Sequence, residues 1–281
     1  MAATISKTVT LPSGETVPAL GQGTWYMGVS GHKRAAEVAA LKLGLDLGMT
    51  LIDTAEMYAE GGAEEVTGEA VRGRRDEVFL VSKVLPNHAS RTATIAACEA
   101  SLRRLGTDRI DLYLLHWRGN YALEDTLTGF MALQQAGKIR HWGVSNFDVE
   151  DMEELLASGG ATVAANQVLY NLGRRGIEHD LIGWSEAHRV PIMAYSPIEQ
   201  GRLAGDRTLA EIATRHAASP AQIALAFVLS RSGVIAIPKA SNLSHVRENA
   251  KSAEIVLSAA DLVALDAAFP PPKRKRALEM L

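Results

Sequence analysis

The sequence predicts an α/β fold, a (β/α)8 barrel of eight parallel strands behind an N-terminal β-hairpin. Two observations predict it. Short β-branched runs alternate with longer helical patterns along the chain, which implies parallel pairing through crossover helices. The runs are also apolar without strict alternation, as strands covered on both faces are. An open doubly-wound sheet is the other arrangement with these properties, and the count of eight favours the barrel.

Residues 8–17 read as two short strands around the turn Pro12-Ser13-Gly14. The barrel strands are expected at 19–24, 50–54, 78–84, 110–116, 139–145, 163–169, 191–195 and 234–238. Amphipathic stretches between them include 33–47, 92–105, 123–136, 152–157 and 221–230. Ser90 and Ser219-Pro220 carry helix start signals, and Gly48, Gly106 and Gly137 stand where helices should stop. No linker or composition shift divides the chain, so residues 1–281 are expected to form a single domain. The open-sheet alternative lacks its fingerprint: Gly21, Gly23 and Gly28 are wrongly spaced for a dinucleotide loop and no helix follows directly.

Composition excludes several classes. Hydrophobic residues at 47% and charged residues at 22% rule out a disordered or fibrous chain. A net charge of -3 argues against a nucleic-acid partner. The lone Cys98 makes no internal disulfide and fits a reducing compartment. The eight histidines show no close-spaced ligand pair, so no metal is expected. The start, MAATISKTVT, has no leader-like apolar run, and the most apolar stretch, 223–229, is too short to cross a bilayer. A cytoplasmic protein with no membrane partner is the expectation.

In a barrel, chemistry collects where strands end. Strand two ends at Asp53, with Tyr58 in the loop beyond it; strand three carries Ser82-Lys83 and strand four ends at His116. Further round stand Ser145-Asn146, Asn166-Gln167, Tyr195-Ser196 and Lys239. Each has an ordinary structural reading, as a turn, cap or core residue. Together they would project into one cavity mouth. A lysine in such a site needs an opposite charge, and Asp53 is the natural partner. A cationic Lys83 beside Tyr58 would make the phenol easier to deprotonate, hence a usable proton donor to an alkoxide. His116 could polarise a carbonyl oxygen. Carbonyl reduction needs one thing more, a hydride source, which side chains do not provide.

These residues lie in segments that resemble the aldo-keto reductases. The resemblance runs through Asp53-Thr-Ala-Glu-Met-Tyr58 with Glu64-Glu65 and Gly68, Ser82-Lys83, and Asp111-Leu-Tyr-Leu-Leu-His116-Trp117. It continues in Gly137-Lys-Ile-Arg-His-Trp-Gly-Val-Ser-Asn-Phe147, Asn166-Gln167, Tyr170-Asn171 and Ala194-Tyr-Ser-Pro197. It closes with Ile237-Pro-Lys239 and Glu248-Asn249, so nearly the whole chain is covered in order.

The resemblance implies a TIM barrel, monomeric, that binds NADPH without a Rossmann motif and reduces a small-molecule carbonyl substrate. It makes Tyr58 the general acid, Lys83 and Asp53 its tuning pair, and His116 the carbonyl-orienting residue. Ser145, Asn146 and Gln167 would hold the nicotinamide carboxamide, Tyr195 would stack on its ring, and Ser196, Pro197 and the next loop would meet the pyrophosphate. Lys239, Ala240, Ser241 and Asn242, with His245, Glu248 and Asn249, would surround the adenosine and its 2′-phosphate. Thr24 and Trp25 would line the cofactor cleft, with Trp25, Tyr58, His116 and Trp117 facing the substrate.

Four departures bear on this. His245 stands where an arginine is common, which leaves room for NADH beside NADPH. Arg247 could replace it only by turning inward. Arg118 stands where proline is frequent, and Ala59 where glycine is. The segment after Phe269 is short, which predicts an open acceptor pocket and broad acceptance of small aldehydes and ketoaldehydes. The chain is most similar to bacterial members that take methylglyoxal-type substrates. Two other functions fit a barrel: a cofactor-binding regulatory module with little turnover, and a lyase using Lys83 as a Schiff base, for which the adjacent Asp53 is unsuited.

Overall fold

A computed structural model describes residues 5–281; the first four residues of the segment read as leaderless lie outside it. The hairpin pairs β1 (Thr8–Thr10) with β2 (Thr16–Pro18) antiparallel, Val9 opposite Val17, around Gly14 at φ +87°. Eight strands follow in one sheet. They are β3 (Gln22–Gly23), β4 (Leu51–Asp53), β5 (Phe79–Val84), β6 (Ile110–Leu115), β7 (Ile139–Ser145), β8 (Asn166–Leu169), β9 (Ile192–Tyr195) and β10 (Val234–Ala236).

Each strand lies parallel to its neighbours, in chain order across the sheet. At the two edges, Leu20 bridges Ala236 and Gly23 bridges Lys239, also in parallel sense. Gly21 N–H donates to Ala236 O at 2.9 Å and Ala236 N–H to Ala19 O at 2.8 Å. The first, second, sixth and eighth barrel strands are shorter than expected by two residues or more, because their flanks make single bridges or lone bonds rather than a ladder. Ala164 N–H, for example, reaches Trp142 O at 2.9 Å ahead of β8.

The helices expected from periodicity are α1 (Arg34–Asp46), α3 (Arg91–Leu105), α4 (Leu123–Gln135), α5 (Val149–Ala157) and α8 (Pro220–Leu229). Ser90 caps α3 by accepting from Ala93 N–H, and Ser219 forms a capping box with Gln222 at α8. Gly48, Gly106 and Gly137 all sit at positive φ just past a helix. The described residues hold five further helices, three between these and two after them: α2 (Gly62–Val71), α6 (Leu181–His188), α7 (Arg207–Arg215), α9 (Leu243–Ser252) and α10 (Ala259–Ala268). Two of these lack the usual start signal, since neither Gly61 at α2 nor Asp180 at α6 makes a side-chain cap bond.

Register decides what faces what. Asp53 pairs with Val81, Val81 with Leu112 and Lys83 with Leu114. Side chains alternate along a strand, so Asp53, Lys83 and His116 share one face. Leu114 pairs with Gly143, Ser145 with Gln167 and Leu169 with Tyr195, which carries Ser145, Gln167 and Tyr195 onto that face too. Asn166, one residue out of step, turns the other way and donates to Phe147 O at 2.8 Å. Among the described residues no helix is long and apolar enough to cross a membrane.

Candidate active site

Lys83 is completely buried, which would be prohibitive for a lone ammonium. Its three donors are all engaged: Asp53 Oδ2 at 2.8 Å, Thr54 O at 2.8 Å and Tyr58 Oη at 3.0 Å. Burial alone would lower its pKa, but Asp53 and Tyr58 outweigh that and the lysine is held as a cation above its ordinary value. The other Asp53 oxygen, Oδ1, accepts from Gln167 Nε2 at 2.7 Å, and Thr24 Oγ1 donates to Asp53 O at 3.0 Å. The Asp53–Gln167 bond has no signal in the sequence, since it joins residues 114 positions apart.

Tyr58 corrects one expectation. Burial, the larger effect, raises the phenol above its ordinary pKa, while Lys83 pulls it down without prevailing. At neutral pH this phenol is protonated. Trp25 stacks on its ring at 5.7 Å, and the His116 ring meets it edge-on at 5.8 Å. His116 is pushed down to about 2 by burial, with Lys83 adding to the effect, so its imidazole is neutral. Its Nδ1 is buried with no hydrogen-bond partner among the described residues.

Two adjoining hollows open above this cluster and share Trp25, Tyr58 and Tyr195 as walls. The larger, about 470 Å³, is lined by Thr24, Ser196, Pro197, Lys239, His245, Glu248 and Asn249 among others. The smaller, about 170 Å³, is lined by His116, Trp117, Ser145, Asn146 and Gln167. Lys83 lines neither and meets them only through Tyr58, which lines both. Ala240, Ser241 and Asn242 fall outside the lining. Ser241 accepts from Lys239 Nζ at 3.0 Å, and Asn242 caps α9 by accepting from Ser244 N–H. His245 is exposed at the rim; Arg247 is exposed and does not line the cleft.

The polar wall is braced internally. Asn146 Nδ2 donates to His116 O at 3.1 Å, and Tyr195 Oη donates to Asn146 Oδ1 at 3.0 Å. Burial pushes the Tyr195 phenol up to about 12, and a backbone hydrogen bond from Leu281 opposes it. Asn146 and Ser196 hold φ of 59° and 48°, strained backbone of the kind that gathers at functional sites. Arg118 fixes its loop without a proline, by donating to Gly119 O at 2.7 Å, Tyr121 O at 2.9 Å and Glu154 at 2.9 Å.

The expectation that little of the C-terminal segment meets the acceptor pocket is also corrected. Short as it is, the C-terminal segment reaches the site: Met280 and Leu281 form one side of the smaller hollow. Arg174 Nη1 draws the segment in through Glu279 at 2.7 Å. Periodicity could not reveal this, because the segment has no regular structure. Tyr26, Gln200, Gly201 and Ala221 are further lining residues that no motif marked individually.

The aldo/keto reductase family model matches residues 19–269. The chain is 55% identical over 272 residues to the methylglyoxal reductase YeaE of Escherichia coli K12, covering 95% of this chain and 96% of that one. It is 34% identical over 270 residues to a glyoxal reductase of Bacillus subtilis, covering 95% and 94%. Among solved structures, an aldo/keto reductase of Klebsiella pneumoniae in complex with NADP and acetate superposes with a TM-score of 0.96. It is 51% identical, with 98% of this chain and 99% of that one covered. With this agreement over nearly the full length, and Asp53, Tyr58, Lys83 and His116 gathered at one cleft, the chain belongs to the aldo/keto reductase family.

Proposed function

We propose that this protein reduces small aldehydes and ketoaldehydes, methylglyoxal among them, to alcohols with NADPH. One observation carries the reading: a buried cation, Lys83, donates to the hydroxyl of Tyr58, which faces the cleft beside a neutral histidine. The methylglyoxal and glyoxal reductases among its relatives support the substrate class, and the NADP-bound Klebsiella structure supports the cofactor.

The residues present fit that cofactor. The larger hollow is lined both by aromatic rings, Trp25, Tyr58 and Tyr195 among them, and by a cation, Lys239. Lys239 is half-buried, its pKa lowered by burial, with no carboxylate at ion-pair distance among the described residues, so a phosphate suits it. Ser145, Asn146 and Gln167 would face the carboxamide, Tyr195 the ring and Ser196 and Pro197 the pyrophosphate. Lys239 and the rim of His245, Glu248 and Asn249 would face the 2′-phosphate, with NADH tolerated because His245 is a weak anion ligand.

NADPH, when bound, supplies the hydride. Tyr58 gives its hydroxyl proton to the carbonyl oxygen as that oxygen becomes an alkoxide, and Lys83 stabilises the phenolate left behind. Asp53 keeps Lys83 in place, and Gln167 keeps Asp53 in place. The neutral His116 ring orients the same oxygen through an N–H. Met280 and Leu281 bound the space beside it and favour small acceptors.

For the whole chain, a closed (β/α)8 barrel, one domain over 1–281, monomeric and cytoplasmic, completes the reading. The bridges from Leu20 to Ala236 and from Gly23 to Lys239 support closure. The deciding assay is NADPH oxidation with methylglyoxal, with NADH run in parallel. Many turnovers per enzyme are expected, fewer with NADH. Stoichiometric nucleotide binding without turnover would instead indicate a regulatory module.

A further inference from the structure

We propose that Arg174 is a positioning residue that couples the loop lining the nucleotide cleft to the segment walling the acceptor pocket. The proposal rests on the reductase reading above. Two contacts of one guanidinium define it: Nε to Glu199 Oε1 at 3.3 Å and Nη1 to Glu279 Oε1 at 2.7 Å.

Glu199 belongs to the turn 199–205, whose Gln200 and Gly201 line the larger hollow. It is a nearly buried carboxylate, and it is heavily held: Asn171 Nδ2 donates at 2.7 Å and Arg202 Nη2 at 3.2 Å, besides Arg174. The same Asn171 nitrogen donates to Ser196 O at 2.9 Å, and a short bridge joins Asn171 to Arg174. Backbone strain marks the start of this turn and the residue three before it, with φ of 47° at Glu199, 54° at Gln200 and 48° at Ser196. A turn with strained backbone at the cleft wall is one that a bound nucleotide can order further.

Glu279 lies one residue before Met280. Among the described residues, Arg174–Glu279 is the only side-chain ion pair made by the chain beyond Lys275. Leu278 packs on the core and Leu281 meets Tyr195 through its backbone, so the guanidinium that also grips Glu199 is the one charged tie on the residues that set Met280 and Leu281 beside Tyr58, His116 and Tyr195. Ordering the turn fixes Arg174, and fixing Arg174 fixes the acceptor wall. Nucleotide binding would then shape the pocket in which the carbonyl sits, giving positive coupling between the two substrates.

The test compares Arg174→Ala, Arg174→Lys and Glu279→Gln with the wild type by two readouts. The first is amide hydrogen exchange with and without NADPH, which needs binding but no turnover. In the wild type, NADPH is expected to slow exchange in 198–205 and in 276–281. In Arg174→Ala the protection of 276–281 should be lost, and Arg174→Lys should restore part of it. The second readout is kinetic: KM for methylglyoxal should rise roughly fivefold in Arg174→Ala and Glu279→Gln, the most a half-exposed ion pair is worth, with kcat changed less than twofold. Because coupling is reciprocal, Glu279→Gln should weaken NADPH binding by no more than the same roughly fivefold factor. Undiminished protection of 276–281 in Arg174→Ala, or an unchanged KM in both variants, overturns the coupling. A wild type that binds NADPH but turns nothing over overturns the reductase reading, and the exchange arm still decides the coupling.

Discussion

Two aspartates, Asp53 and Asp111, are buried to the same extent, each side chain 3% exposed, on opposite faces of one sheet. Asp111 precedes Leu112, the residue in register with Val81 and so with Asp53, and therefore points toward the helices. Its oxygens accept from Arg75 at 2.7 Å, from Arg140 at 3.0 Å and from Leu80 N–H at 2.8 Å. Both guanidiniums reach solvent, and no reactive group is attached to the cluster. Asp53 holds a lysine that reaches no solvent at all, and that lysine in turn holds a phenol at the edge of a cleft. Similar ion-pair chemistry thus does two jobs. A carboxylate met by solvent-facing arginines ties strands together, whereas one met by a buried lysine sets the charge felt by a third group.

Tyr58→Phe gives the sharpest separation of the two clusters. It removes the proposed proton donor and keeps the ring that stacks on Trp25. Turnover with methylglyoxal is expected to fall roughly 10²- to 10⁴-fold, the usual worth of a general acid, with the Kd for NADPH unchanged by fluorescence titration. A fall of less than about tenfold would remove Tyr58 from the role.

The aspartates themselves come next. Asp111→Asn should lower unfolding free energy by about 1–3 kcal/mol, since the arginines left behind can turn to water, and should leave kcat per folded molecule within about twofold. Asp53→Asn should lower kcat at least roughly tenfold, because Lys83 loses the partner that holds it charged. Denaturant titration and steady-state kinetics on the same preparations decide it. If Asp111→Asn lost as much kcat as Asp53→Asn, the division between the faces would be wrong.

Much of this contrast is legible in the sequence. A polar residue ending an apolar run announces itself, so Asp53, Lys83 and His116 stand out, and a strand count with period-two alternation places them on one face. Ser90, Ser219 and the stop glycines likewise act locally and can be read locally. What escapes is long-range or quantitative. Gln167 on Asp53, Arg174 on Glu279 and Leu281 near Tyr195 join segments that no pattern relates. The raised phenol of Tyr58 escapes for the second reason. Its neighbours could be anticipated, but whether burial or Lys83 prevails depends on how completely the ring is enclosed.

His116 extends the comparison to pH. Folded, it is neutral down to about 2; unfolded, it takes a proton near 6.5. Below that value the unfolded chain binds more protons, so this group's stability is fully present above pH 6.5 and declines as pH falls. Between pH 7 and pH 5 the loss attributable to His116 should be about 2 kcal/mol, and His116→Gln should lack it. Denaturant midpoints at the two pH values provide the measurement. Equal pH slopes in variant and wild type would mean that the ring takes up a proton in the folded state.

The smallest expected effect lies in the loop after Tyr58. Ala59 and Glu60 hold φ of 50° and 53°, left-handed backbone that costs a residue with a Cβ about 1–2 kcal/mol. Glycine relieves that strain but gains freedom in the unfolded chain, worth about 0.5–1 kcal/mol in the opposite direction. Ala59→Gly should therefore stabilise the protein by up to about 1 kcal/mol, seen as a modest rise in Tm. Turnover should stay within about twofold, because Tyr58 is anchored from below by Lys83 rather than by the loop. A large loss of kcat in Ala59→Gly would show the opposite: that the stiffness of this loop, and not the buried lysine, holds the phenol at the cleft.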